Sequence, residues 1–221
     1  MQITSEIFQV GGEGLTTAED AAVYLIHFGA EAALVDAGCG DSLPKLLSHV
    51  RARGVEPEQL AYILLTHCHY DHTGGAAALR KLTGALVVAH EVEAPFLEQG
   101  DTAVTAASWY GALMPRVPVD RRLAGARSEI WLGGRVIQAL HIPGHSPGSV
   151  AYVTISEGLT VLFGQDVHGP LAPSLLSDRA QYRTSLELLL SLEADILCEG
   201  HYGVYRGKKE VARFIQGFLR G

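Results

Sequence analysis

No apolar run in the chain approaches the roughly 18 residues that a membrane-spanning helix needs, which excludes a helical integral membrane protein. Positive charge is short as well: 17 lysines and arginines stand against 24 aspartates and glutamates, for a formal net charge of −7. Without a basic stripe there is no electrostatic footprint for nucleic acid, and the expected partner is a small molecule rather than nucleic acid or a membrane. Cysteine is scarce. Cys39, Cys68 and Cys198 cannot all pair with one another, so reduced thiols and a cytoplasmic location are expected. The opening residues, MQITSEIFQVGGEG, lack the basic and long apolar regions of a signal peptide, which points the same way. Repeats, low-complexity tracts and Pro/Ser-rich linkers are missing, so residues 1–221 read as a single domain, and no motif specifies an oligomeric state.

What remains is an ordinary globular composition, 48% apolar and 19% charged, sufficient for a full core. The first third holds apolar, β-branched runs punctuated by glycine (SEIFQVG, AVYLIHFG, AALVDAG), which predict strands. Leu43, Leu46, Leu47 and Val50 keep the i, i+3, i+4, i+7 spacing of a one-sided helix. AYILL at residues 61–65 predicts a short buried strand, residues 74–82 a helix, and ALVVA another strand. Residues 91–127 carry Pro95, Pro115 and Pro118 and a mildly helical TAVTAASWYGAL, and read as a helical insert lying over the molecule. Strands return at RVIQALHI, SVAYVTI and LTVLFG, and two helices bracket a last strand, DILCE. Polar clusters at strand ends with helices interspersed indicate a layered α/β (α+β) domain.

One stretch, THCHYDHTGG at residues 66–75, concentrates three histidines and an aspartate directly after the AYILL strand. Alternate residues of an extended segment point the same way, so His67 and His69 can share a ligand while Cys68 points elsewhere. Asp71 and His72, at the turn into a helix, can face a second point nearby. Imidazole and carboxylate ligate zinc, iron and manganese. Further candidates follow, each at a loop after a strand: His141 and His145 in HIPGHSPGS, Asp166 and His168 in LFGQDVHG, and His201 in CEGHYG. His141 is expected to orient its turn. Asp36 reads as a strand-end turn residue or as a partner holding a ligand histidine. His168 reads as a substrate contact or as a loop histidine bonded to backbone. His27, His49 and His90 read as ordinary structural or surface residues.

Together, the H-x-H-x-D-H stretch, the PGHSPGS turn, the aspartate after LFG and the late GH resemble the metallo-β-lactamase superfamily, along the chain from LVDAG to His201. The resemblance implies a four-layer αββα sandwich with two divalent metal ions at one edge. It implies His67, His69 and His145 as ligands of the first, Asp71, His72 and His201 as ligands of the second, and Asp166 as a bridge. Zinc is the first expectation, with iron or manganese as alternatives.

Within the superfamily the motifs are most similar to glyoxalase II, which implies a metal-bridging hydroxide attacking a thioester or ester carbonyl. Asp71, if it reaches that hydroxide, can orient it as well as bind metal, and His168 is the candidate contact to the substrate. Two departures bear on glutathione as the thiol carrier: only residues 202–221 follow His201, and the bridging segment reads GQDVHG in place of GDT. The alternatives sharing the pattern are an acyl-homoserine lactonase, a mononuclear iron persulfide dioxygenase, a secreted β-lactamase, a nuclease, and a non-catalytic metal-binding protein.

Overall fold

The computed structural model describes residues 1–219, so the last two positions of the single-domain reading lie outside the described residues. Strands β1 (Ile7–Gly11), β2 (Val23–Phe28) and β3 (Glu31–Val35) form an antiparallel meander. Helix α1 (Leu43–Arg51) crosses over to β4 (Leu60–Leu64), and from here pairing is parallel. The one-turn helix α2 (Tyr70–Thr73) and α3 (Ala76–Thr83) lead to β5 (Leu86–His90), and α4 (Ala94–Gln99) precedes β6 (Arg121–Leu123). These strands make one sheet in sequential order β1 to β6. The second sheet is built from β7 (Arg127–Leu132), β8 (Arg135–His141), β9 (Val150–Ser156), β10 (Leu159–Gln165), β11 (Ile196–Glu199) and β12 (Val204–Arg206), again in sequential order. All its pairs are antiparallel except β10 with β11, which α5 (Arg179–Ser191) connects. Helix α6 (Lys208–Leu219) ends the described chain. No helix of the described residues is long and apolar enough to cross a membrane.

The layering is written in the strands. In β3, Ala32 and Leu34 join the apolar cluster under α1 and α3, while Ala33 and Val35 join the cluster between the sheets. Ile63 and Leu64 of β4 divide in the same way, and in β10 Val161 and Phe163 face the other sheet while Leu162 faces α5 and α6. A strand covered on both faces has no polar side to alternate, hence the continuous apolar runs. Leu43, Leu46, Leu47 and Val50 are all buried along α1, as their spacing requires. The result is the expected αββα sandwich of two facing mixed sheets with helices on both outer faces.

The stretch at 91–127 is less helical than its sequence suggests. It holds the short α4, a single 3₁₀ turn at Ala107–Tyr110, an extended segment, and then β6, which pairs parallel with β5. Pro115 and Pro118 remove backbone donors from the middle of the segment, so it cannot continue as a helix. Its end is part of the first sheet rather than an insert over it. The short strands β6, β7 and β12 carried no distinct sequence signal.

Two buried tyrosines tie the sheets together at one edge. Tyr24 of the first sheet donates its hydroxyl proton to the carbonyl of Glu199 in the second at 2.7 Å, and Tyr152 of the second donates to the carbonyl of Leu65 at 2.8 Å. Glu199 ends β11 and Leu65 directly follows β4, and each leads into a predicted site loop.

Candidate metal centre

Past β4 the chain bends through Thr66, His67 and Cys68, where an extended segment was expected, and only His69, with φ of −65° and ψ of 146°, is extended before the single turn of α2. Within this bent segment His67 and His69 nevertheless turn to the inner edge, and Cys68 between them is fully buried in the cluster beneath the first sheet's helices. Burial, and then the nearby Glu93 carboxylate, push the Cys68 thiol well above its usual range. It is a packed apolar side chain, not a ligand. Cys68→Ser is accordingly expected to keep activity within about tenfold, or roughly 1.4 kcal/mol of barrier. A loss of several orders of magnitude in kcat/KM at unchanged metal content would overturn that assignment.

The seven predicted ligands come together at the edge where the two tyrosine bonds lie. His67 Nε2, His69 Nδ1 and His145 Nε2 are mutually 2.9, 3.0 and 3.3 Å apart, and Asp166 Oδ2 lies 3.4 Å from His145 Nε2 and 3.9 Å from His67 Nε2. The other oxygen, Asp166 Oδ1, lies 3.1 Å from His72 Nε2 and 3.5 Å from His201 Nε2, and Asp71 Oδ2 lies 3.2 Å from His201 Nε2. One carboxylate thus faces two groups of nitrogens at once.

The hydrogen bonds around the rings say which nitrogens carry protons. Thr66 Oγ1 donates to Asp36, at 2.8 Å to Oδ2, so toward His67 Nδ1, 3.0 Å away, it is left to accept. His72 Nδ1 donates to Asp36 Oδ2 at 2.7 Å, and His145 Nδ1 donates to the carbonyl of Pro170 at 2.9 Å. With these protons committed outward, the inward nitrogens of neutral rings are lone pairs. Lone pairs and carboxylate oxygens then converge with little to donate between them, and His72 Nε2 and Asp166 Oδ1 are buried without a hydrogen-bond partner. A buried set of acceptors at about 3 Å from one another fits a cation that four ligands approach at about 2.0–2.2 Å.

Electrostatics divides the rings, keeping His67 and His69 neutral while the carboxylates favour charge on His72 and His201. Burial pushes His67 well below its ordinary value, and burial, followed by His145, lowers His69 to about 3. Burial also works against charge on His72 and His201. Asp166, Asp36 and Asp71 nevertheless hold His72 well above its usual value, and bonds to Asp166 and Asp71 raise His201 to about 10. Three buried carboxylates at one place call for positive charge, which protonated imidazoles or divalent cations can supply.

Asp36 sits at φ +64°, a left-handed turn that aspartate tolerates, and also fixes His72, so both of its sequence readings hold. His141 donates from Nε2 to the carbonyl of Pro147 at 3.0 Å and orients the turn that carries His145. His90 stacks on the His141 ring at a centroid distance of 4.0 Å. His168 stands at the wall of the cavity above the ligands, its Nδ1 2.8 Å from Glu199 Oε1.

Sequence reasoning missed two buried glutamates. Glu199 accepts the backbone N–H groups of His201 and Tyr202 at 2.7 and 2.8 Å besides His168. Its place two residues before a ligand histidine was the available signal. Glu93 accepts from Ser146 Oγ at 2.8 Å and the Gly148 N–H at 2.6 Å, bracing the PGHSPGS turn from 53 and 55 positions away. No local signal marks it. Also missed were Trp109 and Tyr110, which line the cavity.

Comparison with known proteins gives the same picture. Residues 16–201 match the family described as the metallo-beta-lactamase superfamily. A hydroxyacylglutathione hydrolase from Anaeromyxobacter dehalogenans is 39% identical over 132 residues, which is 60% of this chain and 41% of that protein. A beta-lactamase-like protein 2 homolog from Drosophila melanogaster is 26% identical over 208 residues, 92% of this chain and 66% of that protein. The chain thus spans under two thirds of the length of these relatives. A solved metallo-beta-lactamase from Cronobacter sakazakii superposes with a TM-score of 0.81 at 24% identity, covering 100% of this chain and 94% of that one, a likeness of fold. With its fold and a family match over most of its length in agreement, the chain belongs to the metallo-beta-lactamase superfamily.

Proposed function

We propose that the chain is a binuclear metal-dependent hydrolase that cleaves a thioester or ester. The observation that supports this most is Asp166, whose Oδ2 faces His145 and His67 while its Oδ1 faces His72 and His201. His67, His69 and His145 would hold one divalent ion and Asp71, His72 and His201 another, with Asp166 between them. Zinc suits this nitrogen-rich set best. Bound there, the ions supply a water activated near neutral pH and a Lewis acid for the scissile carbonyl.

The chain's own residues do the rest. Asp36 keeps the His72 ring in one tautomer and one orientation. Asp71, facing His201 across the centre, is placed to orient the attacking water. His168 donates its Nδ1–H to Glu199, which leaves Nε2 of the neutral ring a lone pair at the cavity wall, placed to accept a hydrogen bond from the attacking water or the substrate. The named activity of the Anaeromyxobacter relative, on hydroxyacylglutathione, is of this reaction class.

Metal-stripped protein is expected to regain thioester hydrolysis with Zn²⁺ or Mn²⁺, and to keep it without oxygen. A panel of thioesters, esters, lactones and β-lactams assayed under argon and in air makes the test. Oxygen uptake with glutathione persulfide, supported by iron alone while every acyl substrate stays intact, would overturn the proposal.

A further inference from the structure

The mouth of the centre has a chemical character of its own. Above the ligand side chains opens a cavity of about 200 Å³, walled by Ala106, Trp109, Tyr110, Pro170 and Leu175. An apolar cavity of about 150 Å³ accommodates a benzene, so there is room here for one aromatic ring or a short branched chain. Trp109 is 55% exposed and Tyr110 40% exposed, a large apolar area left in water where a ligand beside the ligating residues would cover it.

The backbone that presents this wall is strained on both sides. Ala106, directly before the Trp109 turn, has φ +57°, and Leu176, directly after the 3₁₀ turn Pro173–Leu175, has φ +56°. Neither is a glycine, so each holds a left-handed conformation that its side chain disfavours, a pattern that gathers at ligand sites.

Charge is a separate observation. Among the described residues no lysine or arginine lines this cavity, nor the cleft of about 440 Å³ on the other flank of His201, where Glu13 and Asp20 stand instead. A carrier bearing carboxylates or phosphates that extends past the centre into the cleft would meet Glu13 and Asp20, with no lysine or arginine among the described lining residues to pair with, an unfavourable juxtaposition.

We propose that the substrate is an uncharged ester or thioester whose apolar acyl group seats against Trp109, Tyr110 and Leu175, and that anionic carriers such as glutathione are discriminated against. This rests on the hydrolase reading above and narrows it. Water adds across the acyl C–S or C–O bond, and the products are a carboxylic acid and a neutral thiol or alcohol.

Matched substrates separate the two readings. S-phenylacetyl-N-acetylcysteamine and S-phenylacetylglutathione share an acyl group and differ in carrier charge, and S-acetyl-N-acetylcysteamine keeps the neutral carrier without the ring. On metal-loaded protein the first is expected to show a kcat/KM at least about tenfold above each of the others. Trp109→Ala should lower that value about tenfold, a larger factor than it takes from the acetyl substrate, and Trp109→Phe should restore it. A binding measurement needs no turnover. Trp131→Phe leaves Trp109 the sole tryptophan, and its fluorescence should respond to the benzyl thioether of N-acetylcysteamine at about tenfold lower concentration than to S-benzylglutathione. If the glutathione compounds are hydrolysed and bound equally well or better, the inference falls and the hydrolase reading stands. If no thioester is cleaved while the fluorescence preference holds, the hydrolase reading falls and the apolar, uncharged wall stands.

Discussion

Asp166→Ala is expected to empty both metal sites together, taking purified protein from close to two ions per chain to well below one. A carboxylate serving a single site would cost a single ion. Asp166 faces His145 Nε2 at 3.4 Å with one oxygen and His72 Nε2 at 3.1 Å with the other, so its removal takes a ligand from each. It also withdraws the negative charge that favours cations at this buried place. Hydrolysis should fall by at least about a thousandfold, or roughly 4 kcal/mol of barrier. The check is elemental analysis of the variant beside the unmodified chain, with turnover at saturating Zn²⁺. Full occupancy of one site with intact binding in the other would show that Asp166 is no bridge.

The second large effect is on folding. Gly144 lies at φ +133°, and a Cβ placed there would come within 2.1 Å of the Tyr182 nitrogen and 2.3 Å of its Cα, in the first turns of α5. These are backbone atoms that cannot swing aside. The same turn is bolted to that helix, since Ser185 Oγ donates to the carbonyl of Pro143 at 2.7 Å and the N–H of Asp178 to the carbonyl of Gly144 at 2.8 Å. Gly144→Ala must therefore push α5 off the second sheet or refold the turn that carries His145. A cost of roughly 3–5 kcal/mol is expected, among the larger values for a single substitution. Thermal unfolding should show Tm lowered by roughly 6–20 °C for a domain of this size. A variant melting within about 2 °C of the unmodified chain would mean that the close approach is not a real constraint.

Much of this was legible in the sequence because it is local. Continuous apolar runs such as AYILL mark strands buried on both faces, and the candidate ligands stand in short motifs directly after them, where the sheet edge must carry them. What was not legible is what depends on distant pairing. Strand β6 is three residues long and exists because β5 lies beside it, and β12 exists because β11 does. Glu93 braces a turn more than fifty positions downstream, and a glutamate in HEVE has nothing beside it in sequence to announce that. The TAVTAASWYGAL segment misled in the other direction. Its alanines favour helix, yet the chain turns left-handed at Ala106 and makes only one 3₁₀ turn, which brings Trp109 and Tyr110 to the mouth of the centre.

Each half of the candidate centre takes side chains from both sheets. His67, His69, Asp71 and His72 follow the last residues of β4, in the first sheet, whereas His145, Asp166 and His201 hang on connections of the second. Slipping one sheet past the other by a single residue, about 3.3 Å, would undo the distances from His67, His69, Asp71 and His72 to His145, Asp166 and His201, without which neither half of the centre can chelate. The three cysteines are free, so no disulfide cross-links the two sheets. Chelation would do so instead: ions that bind only the aligned arrangement add their binding free energy to the cohesion of the sandwich. Catalysis and mechanical alignment would then share one fastener, and whatever loosens the grip on the ions also loosens the seam between the sheets.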